Sequence, residues 1–464
     1  MIEEDILLGV LDEVEARESE LLSWGDTAFF LSEQDLINLI ESSTSQVLSD
    51  EVLQDLLDRV LLYEILDPNG QVLGYRSRMA ESVHLFRNLR QWFPGKQVSE
   101  AKSLVSDYRF LRRSRIYPRR DVSPNELLES LADENNLQAS TVQAIRLQTE
   151  GFNLSGFQIR ATERISASFD MHKRRGKSPS ATIVCAGTGS GKTLAFYLPT
   201  LSSIATEIIS DSTHRVSALA IYPRKELLKD QFNETWLQSR KLDGFLKSHS
   251  SRKIRIGALF GDSPHSAYYA KKNLKEHQQY IKYDLIRCQT PSCQGEFRWL
   301  KEDILTETEI LRCNSCSSII RSDEVALTRE SICKFPPDIV FTTTEMLNQQ
   351  MGNPKFYSTF GIHTKNSIPL VLLDEVHTYS GNQGAQTTFL LRRWMRMART
   401  KPHFVGLSAT LSDAEDFFSR LTSVDRSRVR LIEPEKTEMA EEGAEYLLAL
   451  RGDPVSQTAL LSTS

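Results

Sequence analysis

The sequence predicts an α/β fold, a doubly wound parallel sheet over residues 141–435, preceded by a mainly helical N-terminal region. Three observations predict it. Short apolar runs, ATIVCAG, SALAIYP, IRIGALF, DIVFTTT, PLVLLDE and HFVGLSAT, alternate with helical patterns from about Ser140 onward. Such alternation builds parallel strands buried on both faces, with functional loops at their carboxyl ends. The first run leads into a glycine-rich loop, AGTGSGKT at 186–193, which opens a helix. The fifth run ends in two adjacent carboxylates, Asp374 and Glu375.

The N-terminal region has a different pattern. Ile6, Leu7, Val10, Leu11 and Val14 recur at helical spacing, followed by Leu36, Ile37, Leu39 and Ile40 after the capping residue Ser32. A further helix is expected over about 49–59. The turn Asp67, Pro68, Asn69, Gly70 then separates two β-prone runs as a hairpin, and another helix is expected over 79–92. Helices feeding a hairpin are the layout of a winged helix and equally of a helical packing domain with one hairpin. Both stay open. Residues 1–105 are read as this accessory domain and 106–140 as a basic linker, in which Arg109, Arg112, Arg113, Arg115, Arg119 and Arg120 are interleaved with Tyr108, Phe110 and Tyr117. Arginines among aromatics suit phosphates and stacked bases, and a solvated linker or an acidic neighbour equally.

With 464 residues, 40% of them apolar, the chain is long enough for two or three units and one large core. A formal net charge of -5 excludes attraction to nucleic acid by the molecule as a whole and leaves local basic patches as the route to a polyanion. The acidic start MIEEDILLGV lacks the basic residues of a signal peptide, and no run of eighteen apolar residues occurs. The expectation is a cytoplasmic protein without a membrane partner.

In the glycine-rich loop, Gly187, Thr188, Gly189, Ser190 and Gly191 let backbone amides and a helix N-terminus face an anion without side-chain clash. Lys192 is positioned for the β and γ phosphates of a nucleotide, and the Thr193 hydroxyl for Mg²⁺. The strand carrying Asp374 and Glu375 delivers both carboxylates rigidly toward that loop. Asp374 is assigned to the metal and Glu375 to the attacking water.

The flanking motifs carry a family resemblance. The DEVH sequence at 374–377 resembles the DEAD/DEAH box of superfamily 2 helicases. Phe157 and Gln158 are similar to that family's adenine-reading motif, and IYPRKELLKDQ at 221–231 resembles its PTREL motif, with Arg224 and Lys225 in place of threonine and arginine. Phe260, Gly261 and Asp262, then TTTEML at 342–347, resemble the next two strand-end motifs, with Thr344 where proline is common. Ser408, Ala409 and Thr410 match the motif that couples hydrolysis to movement. The stretch DEVHTYSGNQGAQTTFLLRR further resembles the YprA-like DNA helicase branch.

The resemblance implies a RecA-like, ATP-selective motor domain. Within it Gln158 reads adenine, His377 and Ser408 to Thr410 relay the nucleotide state, and Pro223, Arg224, Gly261, Thr342, Thr343 and Thr344 grip a nucleic-acid backbone. DNA is the expected track, with a role in DNA repair or antiviral defence. A nucleotide-gated DNA-binding regulator and an RNA helicase are the alternatives. The family also has a second RecA-like domain that supplies arginine fingers, and nothing after Leu411 resembles it. Residues 436–464 are therefore read as the start of a connection to such a domain, in a longer chain or a partner subunit. Without that arginine, in related sites a contribution of about a thousandfold or more, the expectation is a weak ATPase.

Cys288 and Cys293, then Cys313 and Cys316, form two short pairs separated by nineteen residues. In a reducing compartment such pairs favour a tetrahedral Zn²⁺ over disulfides. A zinc ribbon inserted at about 284–320 follows, structural because four thiolates leave no open position. It is expected to be too small for its own core, so that the ion supplies the folding energy. Nearby Lys271, Lys272, Lys275, Lys282, Arg287, Arg298 and Lys301 offer charge to DNA or to another subunit.

Overall fold

The computed structural model describes residues 4–452 except 44–48, 92–93, 96, 98–99, 134–136, 176–177, 188, 365–366 and 410. Trp92, Thr188 and Thr410 therefore lie outside the described residues. The chain divides into two compact units. One runs to Ile116 and takes in residues from Glu441 onward, and the other is Tyr117–Ala440.

The second unit is built on eight parallel strands, in the spatial order Val325–Ala326, Ile256–Leu259, Ile339–Thr343, Ala218–Tyr222, Leu370–Leu373, His403–Ser408, Ser180–Cys185 and Val429–Ile432. All six expected apolar runs are among them. Their alternation explains why they read as unbroken apolar runs. Ala218, Ala220 and Tyr222 enter the core on one face of the sheet, and Leu219 and Ile221 enter it on the other. Leu370 and Leu372 oppose Val371 and Leu373 in the same way. Helices Gly156–Arg175, Lys192–Ser210 and Lys225–Arg240 cover the first face through Phe157, Phe196 and Phe232, and Gly381–Ala398 and Ala414–Thr422 cover the second through Trp394 and Phe418. With both faces dry, the polar ends of the strands are the only part of the sheet open to a ligand.

The region expected as a basic linker holds the strand Val105–Pro118 and the helix Pro124–Asp133. That strand pairs with Met439–Gly452, from the segment expected to lead toward a further domain. The arginine run concealed a strand because its charges point outward and find carboxylates in this chain. Arg112 pairs with Asp12, and Arg113 with Glu445 at 2.5 Å, while Phe110 stacks on Tyr446 with ring centroids 6.4 Å apart.

In the first unit, helices Glu4–Ser23, Glu33–Ser43 and Ser49–Asp58 precede the hairpin Leu62–Leu66 and Val72–Ser77. Leu7, Val10, Val14, Leu36, Ile40 and Leu56 are buried together, as the helical spacing predicts. Asp67 closes the hairpin by accepting the Asn69 and Gln71 amides at 2.8 Å, with Gly70 at φ +85°. Between the first two helices, Leu31 forms an antiparallel bridge to Tyr75 on the second hairpin strand. The helix expected over 79–92 is Arg78–Arg87, because Asn88 caps its end and Arg90–Gln91 is a short strand. Ser77 begins that helix by accepting the Ala80 amide at 3.1 Å, and its own amide donates to Glu18 at 2.8 Å.

Glu18 is fully buried. Burial pushes its carboxyl up from 4.5 to about 7, against opposing hydrogen bonds from Ser77. The folded state therefore holds a proton that the unfolded chain releases near 4.5. That contribution is complete below the unfolded value and is lost as pH rises through about 7. Glu18→Gln is expected to be more stable than wild type at pH 8, by up to about 3 kcal/mol, with the advantage gone at pH 4. Calorimetric melting of the full chain at both pH values checks this, and a difference independent of pH contradicts it.

Candidate nucleotide site and metal centre

The strand Ser180–Cys185 ends in the glycine-rich loop, and Lys192 begins the helix that follows. Gly189 and Gly191 adopt φ +81° and +82°, the left-handed backbone that glycine takes without strain. Ser190 donates to the Gly187 carbonyl at 2.7 Å, and the Lys192 ammonium reaches back to the Ala186 carbonyl at 3.4 Å. Gln158 is buried against this loop. Its amide nitrogen donates to the Gly191 carbonyl at 2.9 Å, and its oxygen accepts from the Ser155 amide at 3.0 Å. A side chain at Gly191 would meet Gln158 at 2.6 Å. The carboxamide keeps one hydrogen and one lone pair for a ligand. Phe157 is buried in the core below it.

Two residues outside the expected motif border the loop. Arg120 donates to the Gly189 carbonyl at 3.4 Å, and a carbon added at Gly189 would lie 3.3 Å from the Tyr117 ring. Only their membership in the arginine and aromatic run signalled them in the sequence.

Asp374 and Glu375 leave the strand Leu370–Leu373, which is separated from the loop-bearing strand by His403–Ser408 alone. Asp374 accepts the Glu375 amide at 2.8 Å, and Glu375 holds a left-handed backbone, φ 47° and ψ 52°, a strained posture for a non-glycine residue. Burial raises the Asp374 carboxyl to about 6, the Glu375 charge adds to the rise, and Lys192 opposes it. His377 stands 3.4 Å from Glu375 and 3.3 Å from the Ser408 hydroxyl. Ser408 also joins the loop, since its carbonyl accepts the Ala186 amide at 3.1 Å. Ala409 follows it, half-buried. The strand order thus brings phosphate loop, carboxylates, histidine and serine to one edge.

The DEAD/DEAH box helicase family matches residues 158–279 and 298–417, just over half of the chain. The chain belongs to that family. It is similar to Druantia protein DruE of Escherichia coli, 24% identical over 291 residues, which cover 52% of this chain and 15% of DruE. It is also similar to the ATP-dependent helicase hrq1 of Schizosaccharomyces pombe, 23% identical over 253 residues, which cover 53% of this chain and 16% of hrq1. Among solved structures, the DUF1998 helicase MrfA bound to DNA aligns with 76% of this chain and 33% of its own, at 18% identity and a TM-score of 0.41. The chain therefore spans about a sixth of the length of these two curated relatives.

Helicase motif loops expected to grip a backbone are placed unequally. Pro223 and Thr344 line one open groove. Arg224 is exposed at the N-cap of the helix Lys225–Arg240. The Gly261 carbonyl accepts from Arg329 at 2.7 Å, and the Thr343 hydroxyl caps the next helix by accepting the Met346 amide at 3.2 Å. Thr342 lies in the strand Ile339–Thr343, just before that cap. It is fully buried, and its hydroxyl donates to the Leu259 carbonyl at 2.9 Å, because its position in the strand turns it into the sheet. Lys225, which stands where the motif has arginine, pairs with Asp262 and lies over the Phe260 ring at 5.0 Å.

The four cysteines converge within one insertion of this helicase domain. A four-stranded antiparallel sheet, Tyr280–Arg287, Glu296–Leu300, Ile310–Cys313 and Ile319–Arg321, carries them. Their sulfurs all lie within 4.8 Å of one another, with Cys288 and Cys316 3.4 Å apart and Cys293 and Cys313 3.6 Å apart. Disulfides, at about 2.05 Å, do not match. Tetrahedral bonds of about 2.3 Å to zinc set sulfurs about 3.8 Å apart, which does. The Gly295 and Ser315 amides point at Cys293 and Cys313 sulfurs at 3.4 and 3.5 Å. A side chain at Gly295 would strike the Cys313 sulfur at 2.4 Å.

Apolar residues of the insertion are buried against the rest of the domain. Phe297 and Trp299 are buried in the same cluster as the helix Lys225–Arg240, where Trp236 meets Phe297 edge-on at 6.5 Å. Several basic residues around it are paired internally: Lys282 with Glu296 at 2.5 Å, Arg287 with Asp230 at 3.4 Å, and Arg298 over the Tyr280 ring at 4.0 Å.

Metal analysis of the purified full chain is expected to give about one ion per molecule, and close to none in Cys313→Ser/Cys316→Ser. Gly295→Ala is expected to lose metal more readily to a chelator, at a cost of about 1–3 kcal/mol in stability. An unchanged metal content in the double variant removes the site.

Proposed function

We propose that this helicase domain is the phosphate-loop half of an ATP-driven motor that moves on DNA. The observation that carries the reading is the convergence at one sheet edge of the glycine-rich loop, Gln158, Asp374, Glu375 and Ser408. Gly187, Thr188, Gly189, Ser190 and Gly191 cradle the phosphates, Lys192 neutralises the β and γ charges, and Gln158 presents its remaining hydrogen and lone pair to adenine. Thr193 and Asp374 hold Mg²⁺, whose charge stabilises the transferring phosphoryl group. Glu375 accepts the proton of the attacking water. His377, between Glu375 and Ser408, relays the state of that site with Ala409 and Thr410. The cysteine cluster holds a structural Zn²⁺.

A second RecA-like domain, in a longer chain or a partner subunit, supplies the arginine that faces the γ-phosphate. DNA rather than RNA rests on the DEVH form of the box with Tyr379, Gly381, Gly384, Arg392 and Arg393 behind it. Electrostatics weigh against the rival reading of a DNA-binding regulator. The helix Ser49–Asp58, before the hairpin, carries Asp50, Glu51, Asp55 and Asp58, charges that repel a phosphate backbone.

ATP turnover of the full chain, supplied with any co-purifying partner, tests the reading with single-stranded DNA and with RNA. Stimulation by DNA is expected to exceed that by RNA. Glu375→Gln is expected to slow turnover by about 10²–10⁴-fold while nucleotide still binds, and Lys192→Ala to lose binding. Turnover indifferent to any nucleic acid contradicts the motor.

A further inference from the structure

The motor reading leaves the helix behind the DEVH box without a task. Gly381–Ala398 buries Leu391 and Trp394 and turns the adjoining flank, with Leu390 between the two, to an open groove of about 940 Å³. Pro223 and Thr344, at the ends of two sheet strands, form one side of that groove. Gln383, Gln386, Phe389 and Arg393 come from the helix, and steps of three and four residues set them along one flank.

We propose that this flank is the second wall of a channel for a single strand of nucleic acid, with Phe389 as a platform for one base and Arg393 as a phosphate contact. This rests on the motor reading, and names where the strand lies. Phe389 is 68% exposed and lines the groove. The Arg392 guanidinium lies over one face of this ring, 6.0 Å from its centroid, and the other face suits any base. The carboxamides of Gln383 and Gln386 offer donors and acceptors to base edges. The Arg393 guanidinium meets the Asn348 side chain and the Met351 sulfur, both uncharged, so its charge is available. Glu345 also lines the groove and repels phosphate, which leaves Arg393 as the phosphate contact on the helix flank.

The same helix is joined to the nucleotide site with little slack. Glu375 is followed by the turn Val376–Thr378, then by buried Tyr379, and the helix begins two residues later. A side chain at Gly384 would strike the Tyr379 carbonyl at 2.2 Å. A displacement of the carboxylate loop therefore carries the strand-facing flank with it.

Fluorescence anisotropy of a labelled single-stranded oligonucleotide with the full chain tests the assignment. Phe389→Ala is expected to weaken binding by about tenfold with an unchanged slope of affinity against salt, and Phe389→Trp to restore it. Arg393→Ala is expected to lower that slope by about one. A wild-type chain that binds while Phe389→Ala binds equally overturns the channel and leaves the motor standing. A wild-type chain that binds no strand overturns the motor reading and the channel with it.

Discussion

Burial of the parallel sheet on both faces is the constraint on which everything else depends. Ala220 and Tyr222 are dry on one side and Leu219 and Ile221 on the other, so a polar group within the strands has no water to reach. Chemistry is displaced to the strand ends. The order of strands then decides which ends are neighbours. His403–Ser408 lies between the strand that carries the phosphate loop and the strand that carries Asp374. Ser408 consequently bonds the loop through its carbonyl and His377 through its hydroxyl. A residue so placed touches both parts of the site without leaving the sheet.

The insertion obeys the same constraint at smaller scale. Its sheet is too short to bury Phe297, Trp299 and Leu311 between its own layers, and it borrows the outer face of the helix Lys225–Arg240. That helix begins immediately after Pro223 and Arg224, on the loop assigned to the nucleic-acid track. Cysteine geometry and motif geometry are thereby tied through one helix, which gives the cluster a reason to sit inside the domain.

Much of this was legible in the sequence, and the physics explains which parts. Strands buried on both faces appear as plain apolar runs, so 180–185, 218–222 and 370–373 were readable. The four cysteines were readable because metal ligands are short-range in sequence. The strand Val105–Pro118 was hidden because six arginines nearby satisfied the pattern of a solvated linker, while their carboxylate partners Asp12 and Glu445 lie far away in the chain. Gly295 carried no signal, since its need arises only where the Cys313 sulfur approaches its backbone.

The central claim is that one edge holds one adenine nucleotide between Gln158, the phosphate loop and Asp374. Calorimetric titration of the full chain with Mg²⁺ and either ATP or GTP tests it most directly. The account predicts that ATP binds and GTP binds more weakly, that Gln158→Ala erases the preference, and that Lys192→Ala abolishes binding of both. Equal affinity for the two nucleotides, or undiminished binding by Lys192→Ala, would contradict it.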